Sequence, residues 1–342
     1  MKNLLLSFLL LYTLDSSAQM STADERLLQK KEDSLKVMAR AFLTNAETAD
    51  RMRQDSLFIK TLIRSLQVKH SFYYPFDLVK GVSHLYSPDS TFRIFSWQLG
   101  FDNDYAFIRQ RGAIQFRTPD GSLKLVPLKD YSEFADNPLD SVRTKNNWIG
   151  AVYYNIIKTD YNGKPYYTLF GFDGNSYRTN KKWIDVLSFD AQNNPVFGSQ
   201  RFFTFEKDSF AKRKPQYRFA IEYKKEASTT LNYNEDLNLI LVDHLISESD
   251  EPESAWTFVP DGDYEGFKWV AGRWQHVNKV FYERVDMKGA DPYMGNAPAE
   301  NTLLDKDGNI NQQKLDEQNK KNQAKKDEAP VKPAPKKPMK KG

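Results

Sequence analysis

The first pattern along the chain is a helical spacing of apolar residues within a polar stretch. Apolar side chains recur at intervals of three and four positions over residues 27–66, and neither Pro nor Gly interrupts them. This spacing predicts helix with one apolar face, and Thr22 with Glu25 fits a capping box at its start. The stretch forms either two helices that meet near Asn45 or one long bent helix. It either packs on the rest of the protein or pairs with a second chain. Its spacing is coiled-coil-like, but the heptads are too irregular to predict a coiled coil.

From about Ser71 the pattern changes to short aromatic and β-branched runs separated by turn residues. Residues 91–97 and 218–223 alternate with period two, as half-buried strands do. Residues 237–246 are more continuously apolar, which predicts a strand buried on both faces. About a dozen such segments precede Arg284. They predict a mainly β protein with an antiparallel multi-stranded domain, sandwich or barrel-like in arrangement.

Turn residues define several hairpins within this β region. Asn162-Gly163 lies between two Tyr-rich runs, and residues 190–195 have a similar turn composition. Asn-Gly tolerates the positive φ angles of a tight hairpin. Residues 230–234 follow the strand at 218–223 across a short polar turn. A propeller is the alternative architecture, because Pro-Asp turns occur three times, but they lack the regular repeat that propeller blades need.

The patterns together divide the chain into five segments. These are a signal peptide (1–18), a helical segment (19–68), an antiparallel β domain (69–288), a linker (289–312) and a Lys- and Pro-rich tail (313–342). The tail has few apolar residues, so it cannot bury enough surface to offset chain entropy and is expected to be disordered.

The N-terminal segment has the features of a cleavable export signal. Lys2 supplies a positive charge, and residues 4–14 are apolar over a length too short to span a bilayer. Ser16 and Ala18 place small residues at a cleavage site after Ala18. We therefore expect a periplasmic or extracellular protein. The chain has no Cys, so an acyl anchor on Cys and disulfides are excluded, and no transmembrane anchor is expected in the mature chain.

Charge is distributed unevenly. Residues 313–342 contain ten Lys and four acidic residues, so the net charge of +4 belongs to the tail and the remainder is slightly acidic. A basic isoelectric point therefore does not indicate nucleic-acid binding by the folded region. The tail either increases solubility or makes electrostatic contact with anionic surfaces outside the cytoplasm.

Common catalytic and cofactor motifs are absent from the sequence. It has no Cys nucleophile, no G-x-S-x-G elbow and no glycine-rich phosphate loop. The four His lack the spacing that places two imidazoles on one metal ion; they are at positions 70, 84, 244 and 276. We expect no cofactor and no metal, and the sequence favours a protein that is not an enzyme.

Four residues remain as candidates for catalysis. His244 follows Asp243 at the end of an apolar strand; adjacent strand residues point to opposite faces, so these two cannot pair with each other. Asp104, Asp261 and Glu265 lie in predicted loops rich in carboxylates, where pairs of acids for glycoside cleavage could be placed.

Aromatic residues supply the candidates for binding. Trp269 and Trp274 flank a predicted tight turn, which would bring the two rings together, and Tyr264 precedes them. Exposed aromatic faces stack on sugars, and this hairpin is the strongest candidate for an exposed aromatic surface. Core packing is the alternative explanation for most of the aromatic residues.

Three strings in the β region resemble a family. They are Val242-Asp243-His244-Leu245, residues 259–266 and the segment from Ser87-Pro88-Asp89 to Trp97. They are similar to uncharacterised exported bacterial proteins of β-rich type, and the resemblance covers most of the β domain. It implies a β-rich fold and no activity.

Two functions are compatible with these observations. The first is a non-catalytic exported binding or structural protein of the cell envelope, whose partner is an envelope component or another protein. The alternative is a glycan-active hydrolase that uses loop carboxylates such as Asp104, Asp261 or Glu265.

Overall fold

The chain begins with two helices that pack on a β-rich domain. The computed structural model describes residues 20–101, 107–205 and 213–281. Helices α1 (Thr22–Thr44) and α2 (Thr48–Leu66) are separate, and the break between them lies near Asn45 as predicted. The N-cap is Ser21, whose Oγ accepts a 3.1 Å hydrogen bond from the backbone N–H of Asp24. The predicted capping box was therefore wrong by one residue. The predicted signal, linker and tail lie outside the described residues.

Fifteen strands in the described residues form three sheets. The first sheet has the order β1 (Ser83–Tyr86), β2 (Phe92–Phe101), β3 (Phe107–Phe116), β4 (Lys124–Leu128). The second has the order β5 (Arg143–Thr144), β9 (Pro195–Phe197), β8 (Thr179–Phe189), β7 (Lys164–Asp173), β6 (Val152–Tyr161), and β11 (Phe219–Lys224) also pairs with β8. The third has the order β10 (Phe203–Thr204), β15 (Arg273–Val277), β14 (Phe258–Val270), β13 (Leu239–Ser247), β12 (Leu231–Asn234).

The pairing confirms the predicted fold class. Every strand pair is antiparallel except β10 with β15, and none of the three sheets closes into a barrel. Within the described residues, no helix combines the length and hydropathy needed to cross a membrane.

Three apolar cores lie between successive layers of structure. Strand β2 shows the arrangement, because its alternate residues enter different cores. Phe95 and Trp97 pack with the helices, whereas Phe92 and Ile94 pack with the second sheet. A third core lies between the second and third sheets. The helices therefore pack on the β domain, which was the first of the two alternatives left by the sequence.

The second sheet is buried on both faces and the third is not. In β7, Leu169 belongs to the core shared with the first sheet, and Phe170 to the core shared with the third. In β13, Ile240 and Val242 are fully buried, but Leu241 between them is only partly buried and Ile246 is exposed. The prediction that 237–246 is buried on both faces was wrong, because this strand belongs to the outer sheet.

Three predicted hairpin turns are confirmed, but residues 218–223 and 230–234 do not form a hairpin, because β11 pairs with β8 and β12 pairs with β13. Asn162 and Gly163 connect β6 to β7 with φ angles of 51° and 71°. Asn193 has a φ angle of 59° in the turn between β8 and β9. Ala271 and Gly272 connect β14 to β15 with φ angles of 47° and 77°, so both two-residue turns have the geometry that matches the twist of the strands.

A buried arginine joins the segment after α2 to the first sheet. Arg93 is fully buried, and its guanidinium donates to the side-chain oxygen of Gln115 and to the backbone oxygens of Ser71 and Tyr74. Its Cζ atom lies 4.7 Å from the centre of the Phe95 ring. Burial lowers the pKa of Arg93 to about 10. Hydrogen bonds and aromatic rings therefore stabilise the cation in the interior.

Candidate functional site

The predicted candidates His244 and Asp261 lie opposite each other at an irregularity between β13 and β14. Residues 261–263 bulge opposite His244, and its Nδ1 lies 2.7 Å from Oδ2 of Asp261. Asp243 has a different partner, because its Oδ2 accepts a 2.6 Å hydrogen bond from the backbone N–H of Thr230. As expected from strand alternation, Asp243 and His244 do not pair. The bulge is what brings the imidazole to a carboxylate.

The pKa of Asp261 is lowered by its surroundings. Partial burial acts to raise it, but hydrogen bonds from the backbone N–H of Asp263 and from His244 outweigh that effect. Asp261 is therefore ionised at neutral pH, and its carboxylate accepts a hydrogen bond from Nδ1 of His244. The His244 side chain is 47% exposed, so its ring is accessible to solvent.

A second imidazole and carboxylate pair lies on the inner face of the same sheet. Nε2 of His276 in β15 lies 2.8 Å from Oε2 of Glu265 in β14, and the two side chains are only 8% and 12% exposed. The His276 ring also packs against Phe205 and Phe267, with ring centroids 5.5 Å and 5.2 Å away. Both members are thus fixed by packing as well as by their contact.

The two pairs adjoin a cleft of about 380 Å³ between β11 and the third sheet. Apolar side chains form much of its wall, and the polar side chains include His244, Glu265 and His276. The described lining residues are Leu139, Phe205, Arg213, Gln216, Phe219, Ala220, Ile221, Glu222, Asp243, His244, Leu245, Phe258, Glu265, His276 and Asn278. Candidates chosen from the sequence therefore converge on one concave site.

The chemistry of the cleft is that of carboxylates, imidazoles, amides and one guanidinium. None of its described lining residues is Ser, Thr, Cys, Tyr or Lys. A hydroxyl, thiol or amine nucleophile is therefore not present among those residues. Proton transfer through His244 or His276, and hydrogen bonding to a ligand, are the reactions that this set of side chains supports.

The sequence missed His276 as the partner of Glu265. The signal was present in the predicted hairpin, because the turn at Ala271-Gly272 sets the register of β14 against β15. In that register Phe267 is directly opposite His276, so Glu265 lies diagonally across from the imidazole. Arg213 and Gln216 had no comparable signal, because they belong to no long strand.

The expected exposed aromatic surface at Trp269 and Trp274 is not present. The two rings do meet across the hairpin, with centroids 5.1 Å apart. Trp274 is 1% exposed and donates its Nε1 hydrogen bond to Oγ1 of Thr168 over 3.0 Å. Trp269 is half-buried against Tyr166 and Phe202. The prediction failed because the face of β14 and β15 that carries these rings packs on the second sheet.

Of the remaining candidates, Tyr264 is not among the residues that line the cleft. Tyr264 is half-buried opposite Asp243 in the sheet, and its ring contacts Phe281 with centroids 5.6 Å apart. Asp104 lies outside the described residues. The predicted carboxylate cluster is thus represented in the structure by Asp261 and Glu265, each of which holds an imidazole.

A larger cavity, of about 1130 Å³, lies elsewhere, between α1 and the segment that follows α2. No pattern in the sequence predicted it. Glu32 is buried there; its carboxylate accepts hydrogen bonds from the Tyr74 hydroxyl at 2.5 Å and from the Leu78 backbone N–H at 2.7 Å. Burial, followed by the bond to Glu32, raises the pKa of Tyr74. Glu32 is therefore occupied in joining α1 to the segment that follows α2.

Within the described residues, no group of three or more His, Cys, Asp or Glu side chains is placed to hold a metal ion.

Comparison with known proteins finds no matching family model, no matching curated protein and no matching solved structure.

Proposed function

We propose that this chain is an exported binding protein of the cell envelope and that the cleft between β11 and the third sheet is its ligand site. The observation that carries the proposal is the convergence of His244, Glu265 and His276 on a cleft of about 380 Å³. The apolar residues 4–14 and the small residues before position 19 support export.

The lining suits an organic ligand with an apolar body and a polar group. Phe219, Ile221 and Phe258 offer apolar surface, and the volume is within the range of small-molecule sites. Gln216 and Asn278 offer amide donors and acceptors at the same cleft. Such a ligand would be an envelope component, which is the partner expected from the export signal.

Binding fits this cleft better than covalent catalysis. The described lining supplies no hydroxyl, thiol or amine nucleophile, and the largely buried carboxylate of Glu265 is already in contact with His276. Fixed polar groups within an apolar wall orient a ligand without reacting with it.

A substitution at the edge of the cleft tests the proposal. Asn278→Trp adds a large ring beside the cleft, whereas Gln275→Trp adds the same ring at an exposed position of β15 outside it. The purified full-length chain is incubated with an organic extract of cell envelopes, and retained small molecules are measured by native mass spectrometry. We expect the wild type and Gln275→Trp to retain a ligand and Asn278→Trp to lose it. Retention by none of the three, or by all equally, would contradict the proposal.

The Lys-rich tail offers a separate, electrostatic contact. Ten Lys in residues 313–342 favour an anionic surface, and such attraction weakens as salt rises. Sedimentation with phosphatidylglycerol vesicles, for the full chain and a chain ending at residue 312, measures this contact. Equal sedimentation of both chains would exclude it.

The His244 and Asp261 pair supports a glycan-active hydrolase as the second candidate. A carboxylate that holds Nδ1 orients the imidazole, whose Nε2 can then accept a proton from an attacking water. Assays on labelled polysaccharides test this function with Asp261→Asn, and Asp263→Asn in the same bulge is the matched control. Turnover lost in the first variant alone would favour the hydrolase, and inactivity of the wild type on every polysaccharide would count against it.

A further inference from the structure

Trp256 differs from the other five tryptophans in its exposure. Trp97, Trp148, Trp183 and Trp274 are buried, and Trp269 is half-buried, whereas Trp256 is 39% exposed. It belongs to none of the three apolar cores. The other tryptophans pack in the interior. The exposed indole of Trp256 is therefore a candidate for contact with a ligand.

A guanidinium covers one face of this indole. Cζ of Arg178 lies 3.7 Å from the centre of the Trp256 ring. The backbone around Arg178 is held in place, because the N–H of Lys225 donates to its carbonyl oxygen over 2.9 Å and Nζ of Lys225 donates to the carbonyl oxygen of Ser176 over 2.9 Å. The adjacent Tyr177 is 68% exposed. The backbone of the loop that carries Arg178 and Tyr177 is therefore held in place.

The backbone that carries Trp256 is equally well anchored. Trp256 lies in a 3-10 turn, Ala255–Thr257, that packs against β11. Thr257 is buried, and its carbonyl oxygen accepts a 2.9 Å hydrogen bond from the N–H of Glu248. A ring held in this way loses little conformational freedom when a ligand stacks on it, which favours binding.

Charges of both signs surround the ring. Arg178 is positive, Glu251 and Glu253 in the preceding loop are negative, and Lys224 pairs with Glu248 over 2.5 Å. Arg178 on the ring disfavours a cationic ligand, and Asp250, Glu251 and Glu253 in the loop disfavour an anionic one. A neutral ligand with an apolar face and several hydroxyl groups fits this surface.

We propose that Trp256, Arg178 and Tyr177 form a binding site for a neutral polysaccharide. A sugar ring packs its C–H face on an aromatic ring while Arg178, the Tyr177 hydroxyl and the loop carboxylates hydrogen-bond its hydroxyl groups. None of these three residues lines the proposed cleft. The protein would therefore bind a polysaccharide in addition to the organic ligand of the cleft.

Native affinity electrophoresis of the full-length chain tests the site. The gels contain starch, laminarin, galactomannan or glycol chitin as neutral polymers, and polygalacturonate as the anionic comparison. We expect at least one neutral polymer to retard the wild type. Trp256→Ala should raise the dissociation constant for that polymer about tenfold or more. Trp256→Phe keeps an aromatic ring and should raise it less. Tyr131→Ala, a half-exposed aromatic elsewhere, is the control and should leave retardation unchanged.

Three results would overturn the proposal: no retardation by any neutral polymer, equal retardation of the wild type and Trp256→Ala, or retardation by polygalacturonate alone. Thermal unfolding of each variant establishes that it is folded. Asn278→Trp alters the cleft without changing Trp256, so it should retain polysaccharide binding. The polysaccharide site and the cleft can therefore fail independently.

Discussion

The indole Nε1 of Trp97 donates a 2.8 Å hydrogen bond to Oδ1 of Asp55, across the interface between the first sheet and α2. Nη2 of Arg111 in β3 lies 2.8 Å from the other carboxylate oxygen. Asp55 is fully buried. One carboxylate thus joins α2 to two strands of the first sheet, beside the apolar core that the helices share with that sheet.

We expect Asp55→Ala to lower the free energy of unfolding by about 3 kcal/mol or more, because it leaves a buried indole N–H and a partly buried guanidinium without their acceptor. The control is Asp50→Ala, at an exposed position in the first turn of α2, which should cost about 1 kcal/mol or less. Urea unfolding measures both values. Equal losses in the two variants would show that the buried carboxylate contributes nothing beyond its position in a helix.

The importance of Asp55 could not be predicted from the sequence. Helical spacing places Asp55, unlike Asp50, on the face that carries Phe58 and Leu62, but nothing local shows which partners its carboxylate has. These partners are Trp97 and Arg111, which are 42 and 56 positions away. Hairpins such as the one at Asn162-Gly163 were predictable, because turn conformation depends on the residues of the turn itself.

Two glycines with the same backbone conformation separate conformational strain from steric overlap. Gly163 has a φ angle of 71° and open space where a Cβ atom would lie, whereas at Gly272, with a φ angle of 77°, a Cβ atom would lie 2.3 Å from the Tyr161 ring. We expect Gly163→Ala to cost about 1 kcal/mol and Gly272→Ala about 1 kcal/mol more.

Adding Tyr161→Ala to each glycine variant isolates the overlap. In the Tyr161→Ala background the two glycine substitutions should have similar costs, as measured by thermal unfolding. A persistent excess at Gly272 would place the additional strain in the backbone rather than against the Tyr161 ring.

A buried ion pair stabilises the middle of the second sheet. Nε of Arg218 lies 3.0 Å from Oδ2 of Asp185, and the side chains are 0% and 4% exposed. Asp185→Asn should lower the free energy of unfolding by about 3 kcal/mol, because it leaves a buried cation without its counter-charge. The control is Asp140→Asn, in the exposed pair with Arg201, which should change it by about 1 kcal/mol or less. Similar values for the two pairs, measured by guanidinium unfolding, would contradict this expectation.

The candidate site was predictable only in part. Local sequence patterns identify strands, but they do not show which strands pair or which sheets pack together. Alternation identified residues 218–223 and 230–234 as strands, but β11 pairs with β8 and β12 pairs with β13, so segments adjacent in sequence lie in different sheets. His244 and Glu265 were identified as candidates from residue type and position. Their cleft was not, because one of its walls comes from β11, a strand of another sheet.

Asp89 should make stability depend on acid pH. Partial burial acts to raise the pKa of Asp89, but hydrogen bonds from the side chains of Tyr167, Thr91 and Ser87 and from the Thr91 backbone outweigh it and lower the pKa to about 2. A carboxyl whose pKa is lower in the folded state stabilises the protein above its unfolded value of 3.8, and this contribution is lost as pH falls towards 2. We expect it to be about 1 kcal/mol, because solvent screens part of the carboxylate.

Asp89→Asn should therefore be less stable than the wild type at pH 5 and equally stable near pH 2, because a protonated Asp89 no longer differs in charge from Asn. Urea unfolding at intervals from pH 5 to pH 2 gives the difference in free energy directly. The control is Asp160→Asn. Asp89 and Asp160 each lie 3.6 Å from Nζ of Lys158, but the side chain of Asp89 is 24% exposed and that of Asp160 is 64% exposed. Its effect should be small throughout, because an exposed contact with lysine contributes little. A difference for Asp89→Asn that stays constant with pH would mean that its hydrogen-bond geometry, rather than its charge, provides the stabilisation.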